Sequence, residues 1–352
     1  MPACDGPSLT IARTCKGRAV YTQSNGTLYL ARHYAIHASR DDGGTWTRVT
    51  AMPRSPVRRL AELSRLACRA LRHEVRAFLV LSDGRYVAAN REWVFHAAPG
   101  DTWMTPSRMD AAGHGVMPPM ALGAGPGDRV LWGEYGPNRE RREMRLFVSD
   151  DGGRTHEVAY VFPPGEIRHV HNVVFDPKIE AYWVLAGDHG TDPGIGRLSG
   201  DLRHFEWVAK GQQQYRAVCV LDRGDHLLYA TDTEMETNAL MRLHKATGRI
   251  ERLFDLPGSC IYACQFGGLL ALSSTVEPSP VNQCRDGVLW LSRDGDSWWP
   301  AFRAPKDRWS ECYFQFGSIV LPRGASDREA VFFSGQALRG IDGRAMVAVP
   351  AR

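Results

Sequence analysis

Apolar residues along this chain come in short runs of four to eight, cut by glycine, proline and aspartate. "AYWVLAGD" (181–188), "HLLYATDT" (226–233) and "LLALSSTV" (269–276) are runs of this kind. Each is too short for a typical helix and rich in residues that favour a pleated surface, so each predicts a strand. Between the runs, polar turns recur. "SRDDGGTW" (39–46) returns as "SDDGGRTH" (149–156), and weaker forms appear as "SGDLRHFEW" (199–207) and "SRDGDSW" (292–298). "APGDTW" (98–103), "KATGRI" (245–250) and "GIDGRA" (340–345) bring the turns to seven. Their spacing of roughly 50 residues fits one four-stranded propeller blade per turn. The expectation is an all-β, single-domain propeller over residues 1–352. It has seven blades, starting near 17, 74, 117, 167, 214, 259 and 311, with six blades as the alternative.

One stretch departs from the two-residue period. In "SPVRRLAELSRLACRALRHEV" (55–75), Leu60, Leu63, Leu66, Ala67 and Leu71 fall at helical spacing among arginines. That predicts an amphipathic helix inserted between the first two blades, acting as a lid or, alternatively, lying on a membrane surface.

Composition narrows the function classes. The formal net charge is +4 over 352 residues, without the concentrated Lys/Arg stripe that a nucleic-acid groove requires. No stretch of about 20 apolar residues is present, so no membrane span is expected. The start carries no apolar leader core, and a cytoplasmic protein is expected. The eight cysteines form no CxxC pair; they read as reduced thiols, with no zinc or redox motif. The expected state is a monomer.

Ser39, Asp41, Gly43, Thr45 and Trp46 spell the Asp-box, and Ser149, Asp151, Gly153 and Thr155 repeat it with His156 in the Trp place. Ser292, Asp294 and Trp298 carry a shortened form. In this the chain resembles the sialidase-like β-propellers. Physically the motif is a structural staple: Ser and Asp side chains bond the turn backbone, Gly takes the positive φ, and Trp packs beneath. The resemblance implies that these turns join third and fourth strands, on the face away from the site. It does not extend to a sialidase active site. "TIART" and "KGRAV" offer no Arg-Ile-Pro segment, and only Arg168 and Arg216 suggest themselves for a triad of arginines.

The opposite face then collects the starts of inner strands and the ends of second strands. Glu134, Tyr135, His169, Asp188, Asp232 and Glu277 are the candidate catalytic residues. Arg91, Arg139, Arg168, His171, His189, Arg216, Tyr262 and Trp309 are the candidate substrate-binding residues. Three chemistries use such a set. A glycoside hydrolase acting on an oligo- or polysaccharide needs a carboxyl pair, with arginines gripping acidic or hydroxylated sugar groups. A polysaccharide lyase needs a His or Tyr base and a neutralised uronate carboxylate. A non-catalytic propeller binds a glycan or a protein on the same face. The hydrolase is the favoured expectation, with Glu134, set between glycines in "GEYG", as its best single residue. The partner expected is a carbohydrate. No cofactor is expected, with a divalent metal on His169, His171 and His189 as the alternative.

Overall fold

The structure, a computed structural model, describes residues 6–72, 74–90, 93–107 and 120–351. Five four-stranded antiparallel sheets form separate blades. One of them joins the two ends of the chain: Leu9–Lys16 pairs with Arg344–Pro350, next to Val331–Gln336 and Ser318–Val320. That pairing closes the ring. In another, Val170–Asp176, Ala181–Ala186, Gly194–Ser199 and Phe205–Lys210 follow one another as a plain meander.

The expected count of seven separate blades, or six, is corrected by the sheet pairing. Beyond the five separate blades, the remaining strands lie in a single nine-stranded sheet. The strand Arg323–Ser326 makes the join, running parallel to Tyr21–Thr22 on one side and to Gln265–Phe266 on the other. Turn motifs report hairpins, which are local. They carry no information about a parallel strand recruited from hundreds of residues away.

The single inserted helix over 55–75 is also not what forms. Two short helices occur instead, α1 (Pro56–Ala61) and α2 (Arg65–Leu71). Ser64 caps α2 by accepting from the Ala67 amide, and Arg72 ends it in the left-handed region at φ 51°. The leucine stripe does not face a core: Leu60 and Leu63 are 69% and 85% exposed. Arginines hold the insertion down. Arg69, buried on all sides, bonds Asp307 and the Phe314 carbonyl, and Arg65 bonds Asp342. Phe314 ends the one-turn helix α3 (Glu311–Phe314). No helix among the described residues is long and apolar enough to cross a membrane.

The Ser-x-Asp turns close as their chemistry requires. Ser39 accepts the Gly43 amide at 2.8 Å and donates to Asp41 at 2.8 Å. Asp41 accepts the Thr45 amide at 2.9 Å, and Trp46 donates its indole N–H to the Gly43 carbonyl at 3.1 Å. Gly43 sits at φ +82°, where a Cβ is strained. The amide of Thr45, then the Ser39 hydroxyl, hold the Asp41 carboxyl down at about 2. Ser149 with Asp151 and Ser292 with Asp294 repeat the pattern, and His156 packs its ring on Trp132 and Phe147 where Trp46 packs on Phe332. Replacing Ser39 by alanine leaves the Gly43 N–H without its partner and is expected to cost about 1–2 kcal/mol in chemical denaturation.

Register shows which end of the blade these turns occupy. Ser39 lies opposite Leu28, which lies opposite Thr22. Arg18, at the other end of the inner strand, lies opposite Ala31, which faces Ile36. The turns and the inner-strand starts are therefore at opposite ends of the blade.

Candidate functional site in the central channel

Inner strands begin with a recurring short pattern: "GRAV" (17–20), "VRAF" (75–78), "IRHV" (167–170) and "YRAV" (215–218). A strand start repeated around a ring aims equivalent side chains at the axis. Arg18, Arg76, Arg168 and Arg216 thus belong to one set, although only the last two were selected from the sequence.

Arg216 anchors the acidic side. Its guanidinium lies 2.7 Å from Asp188, 2.6 Å from Glu234 and 3.6 Å from Asp232. Arg168 approaches the other oxygen of Asp188 at 3.9 Å, and His189 reaches that oxygen at 3.6 Å and Glu234 at 3.2 Å. Burial tends to raise the Asp188 carboxyl, but Arg216 outweighs it and holds the group below its usual range. Asp232 is more deeply buried and goes the other way. Burial lifts it, Asp188 and Glu234 add to the lift, and Arg216 only partly opposes. Glu277 is pushed up to about 7 by burial, then by Asp232, against a hydrogen bond from Ser259.

His169 and His171 leave the same strand start on one face, two residues apart. Each ties Nδ1 to a backbone carbonyl, His169 to Gly136 at 2.8 Å and His171 to Ala217 at 2.9 Å. Their Nε2 atoms meet at 2.9 Å. Desolvation holds both imidazoles below their ordinary range. Tyr135 covers them, its ring 4.4 Å from that of His169.

The basic side is a cavity of about 460 Å³ running along the inner strands. Arg18, Arg72, Arg76 and Arg323 line it, and no Asp or Glu does among the described residues. Arg18 donates to Gln336 at 2.7 Å and to the Tyr262 hydroxyl at 2.9 Å, with Glu74 at 3.9 Å. Arg323 donates to Asn172 at 3.2 Å. Burial pulls Arg76 and Arg323 below the usual guanidinium range, and Arg18 adds to the pull on Arg76. Tyr135 stands between the two sides. It lines the cavity, and its phenol is pushed up by burial and then by Asp188 and Asp232, while Arg76 and Arg216 oppose.

The structure therefore gathers Tyr135, Arg168, His169, His171, Asp188, His189, Arg216, Asp232 and Glu277, with Tyr262 across the cavity. It does not bring Glu134 to them. Glu134 accepts three bonds from Arg145, at 2.8, 3.2 and 3.0 Å, and both residues are buried. Arg139 is exposed on a turn, and Trp309 lies outside the cavity against Arg308 and Phe314. Arg91 falls outside the described residues. Sequence reading missed Arg18, Arg72, Arg76, Glu234 and Arg323. The repeated Arg-x-Val/Phe at strand starts was the available signal for Arg18 and Arg76.

No family model matches the chain, and no curated protein matches it in sequence. Among solved structures it is similar to one of YCF48 bound to D1 peptide (11% identity, TM-score 0.58, 99% of this chain and 100% of that one). A chain in a mitotic checkpoint complex is also similar (11%, TM-score 0.57, 99% and 97%). So is the extracellular domain of the putative one component system BT4673 from B. thetaiotaomicron (8%, TM-score 0.54, 99% of this chain and 40% of that one). Likeness at such low identity speaks for the fold and nothing finer: the chain is a β-propeller.

Proposed function

We propose that this propeller is a binding protein for an acidic carbohydrate, whose carboxylate docks on the arginines of the central cavity. One observation carries this: four arginines line a cavity of about 460 Å³ with no carboxylate among the lining residues described. Among the described residues only Arg18 of the four has a carboxylate within 4 Å, Glu74 at 3.9 Å. Cations gathered in a partly desolvated place with so little counter-charge favour an anion, and guanidinium pairs with carboxylate in a fork geometry. The volume is that of a small-ligand pocket. Across Tyr135, the carboxylates around Arg216 offer acceptors for sugar hydroxyls. The hydrolase expectation has less to stand on. Glu134 is consumed by Arg145, and three of the other acids share one guanidinium.

Calorimetric titration with glucuronate beside glucose tests the reading. Glucuronate is expected to bind and glucose not to. Arg76→Gln removes a charge-assisted contact and is expected to weaken glucuronate about 10-fold or more. Equal behaviour of the two sugars, or an unchanged affinity in Arg76→Gln, defeats it.

A further inference from the structure

We propose that Nε2 of His169, Nε2 of His171 and Oδ1 of Asp188 form a site for a first-row divalent metal ion in the wall of the channel. These three ligand atoms lie within 4.8 Å of one another. The argument starts from the tautomers. Each histidine has its Nδ1 against a backbone carbonyl, an acceptor that demands an N–H, so the proton sits on Nδ1 in both rings. Both Nε2 atoms then carry bare lone pairs, and they point at each other across 2.9 Å. Two neutral acceptors at that distance repel unless a positive centre lies between them. Bonding one ring nitrogen to a carbonyl is also how proteins orient a metal-binding imidazole and raise its basicity.

The spacing suits a metal. Two nitrogens each about 2.0–2.1 Å from one ion, at a right angle, are separated by about 2.9 Å. Asp188 Oδ1 is 3.9 Å from one Nε2 and 4.0 Å from the other. It ligates after a side-chain shift of about 1 Å, or through a water. Arg216 donates to that same oxygen at 2.7 Å, and hydrogen-bonded carboxylate ligands are the usual arrangement around a metal.

Charge and burial point the same way. Asp188, Asp232, Glu234 and Glu277 gather around Arg216, with Arg168 the next nearest arginine, 3.9 Å from Asp188, and His189 at 3.6 Å. A divalent ion offsets the surplus of carboxylates. His169 and His171 are 4% and 3% exposed, so their free nitrogens cannot turn to bulk water instead. Two imidazoles and a carboxylate suit zinc, manganese, iron, cobalt or nickel rather than calcium or magnesium.

Cobalt(II) serves as the probe because its visible absorption reports its ligands. The full chain, stripped with EDTA, is titrated with cobalt chloride. One ion per chain is expected, with visible bands that zinc competes away and no near-ultraviolet thiolate band. Asp188→Asn keeps the shape of the side chain and is expected to weaken binding roughly 10-fold or more. His171→Gln is expected to abolish the bands, with circular dichroism confirming the fold; if that variant does not fold, Asp188→Asn decides. Absence of a saturable band, or a band unchanged in Asp188→Asn, overturns the proposal. Glucuronate binding is independent of this outcome, because its arginines are not metal ligands.

Discussion

Replacing Arg145 by methionine is expected to destabilise the protein by about 3–5 kcal/mol, the range seen when one partner of a buried ion pair is removed. Glu134 and Arg145 are 2% and 5% exposed. The Arg145 side chain donates to both carboxylate oxygens, and the Arg145 amide donates to one of them. The two residues lie across a strand pair, where the Glu134 amide also donates to the Arg145 carbonyl. Without the guanidinium, the carboxylate stays desolvated and loses the charge that faces it, or takes up a proton at a cost. The double variant Glu134→Gln, Arg145→Met is expected to recover most of the loss, because no charge is then left stranded. Urea denaturation of the wild type, both single variants and the double variant completes the cycle. A loss below about 1 kcal/mol in Arg145→Met, the worth of an exposed pair, shows that the pair is not desolvated.

The same pair shows where sequence stopped being informative. "GEYG" displays an acid and a phenol between glycines, which reads as a ligand-facing loop. The partner that occupies the acid is 11 residues away on the next strand and has no local signature. The Ser-x-Asp turns were legible for the opposite reason, since their hydrogen bonds close within eight residues. From them the polar face could be located, and Asp188, Arg216, His169 and His171 with it. The strand Arg323–Ser326 was not legible, because its parallel partners lie some 60 and 300 residues away. Nor was the purpose of the insertion. Its leucines suggested a buried stripe, but the contact that fixes it is Arg69 reaching Asp307 and the Phe314 carbonyl. A cavity lined by four arginines is still less visible, being a property of convergence that no single segment contains.

Glu277 sets the second large effect, a loss of stability as pH rises. Its carboxyl stands at about 7 in the fold, against 4.5 for a free glutamate. Burial is the main cause. The groups facing it are Asp232 and Glu234, which add to the rise, and Arg216 and Ser259, which oppose it. Below about pH 4.5 both folded and unfolded chains hold the proton, and Glu277 is neutral to stability. Between 4.5 and 7 the unfolded chain releases it first, so stability falls as pH rises. Above 7 the folded chain has released it too, and the penalty levels off at about 3 kcal/mol. Glu277→Gln cannot ionise and escapes that penalty. Denaturation of EDTA-treated protein is therefore expected to show the variant gaining about 3 kcal/mol on the wild type between pH 4.5 and pH 8, with most of the gain below pH 7. A constant difference between the two proteins across that range means that Glu277 is ionised throughout. In that case the carboxylates around Arg216 already have the counter-charge that the fold as described does not give them.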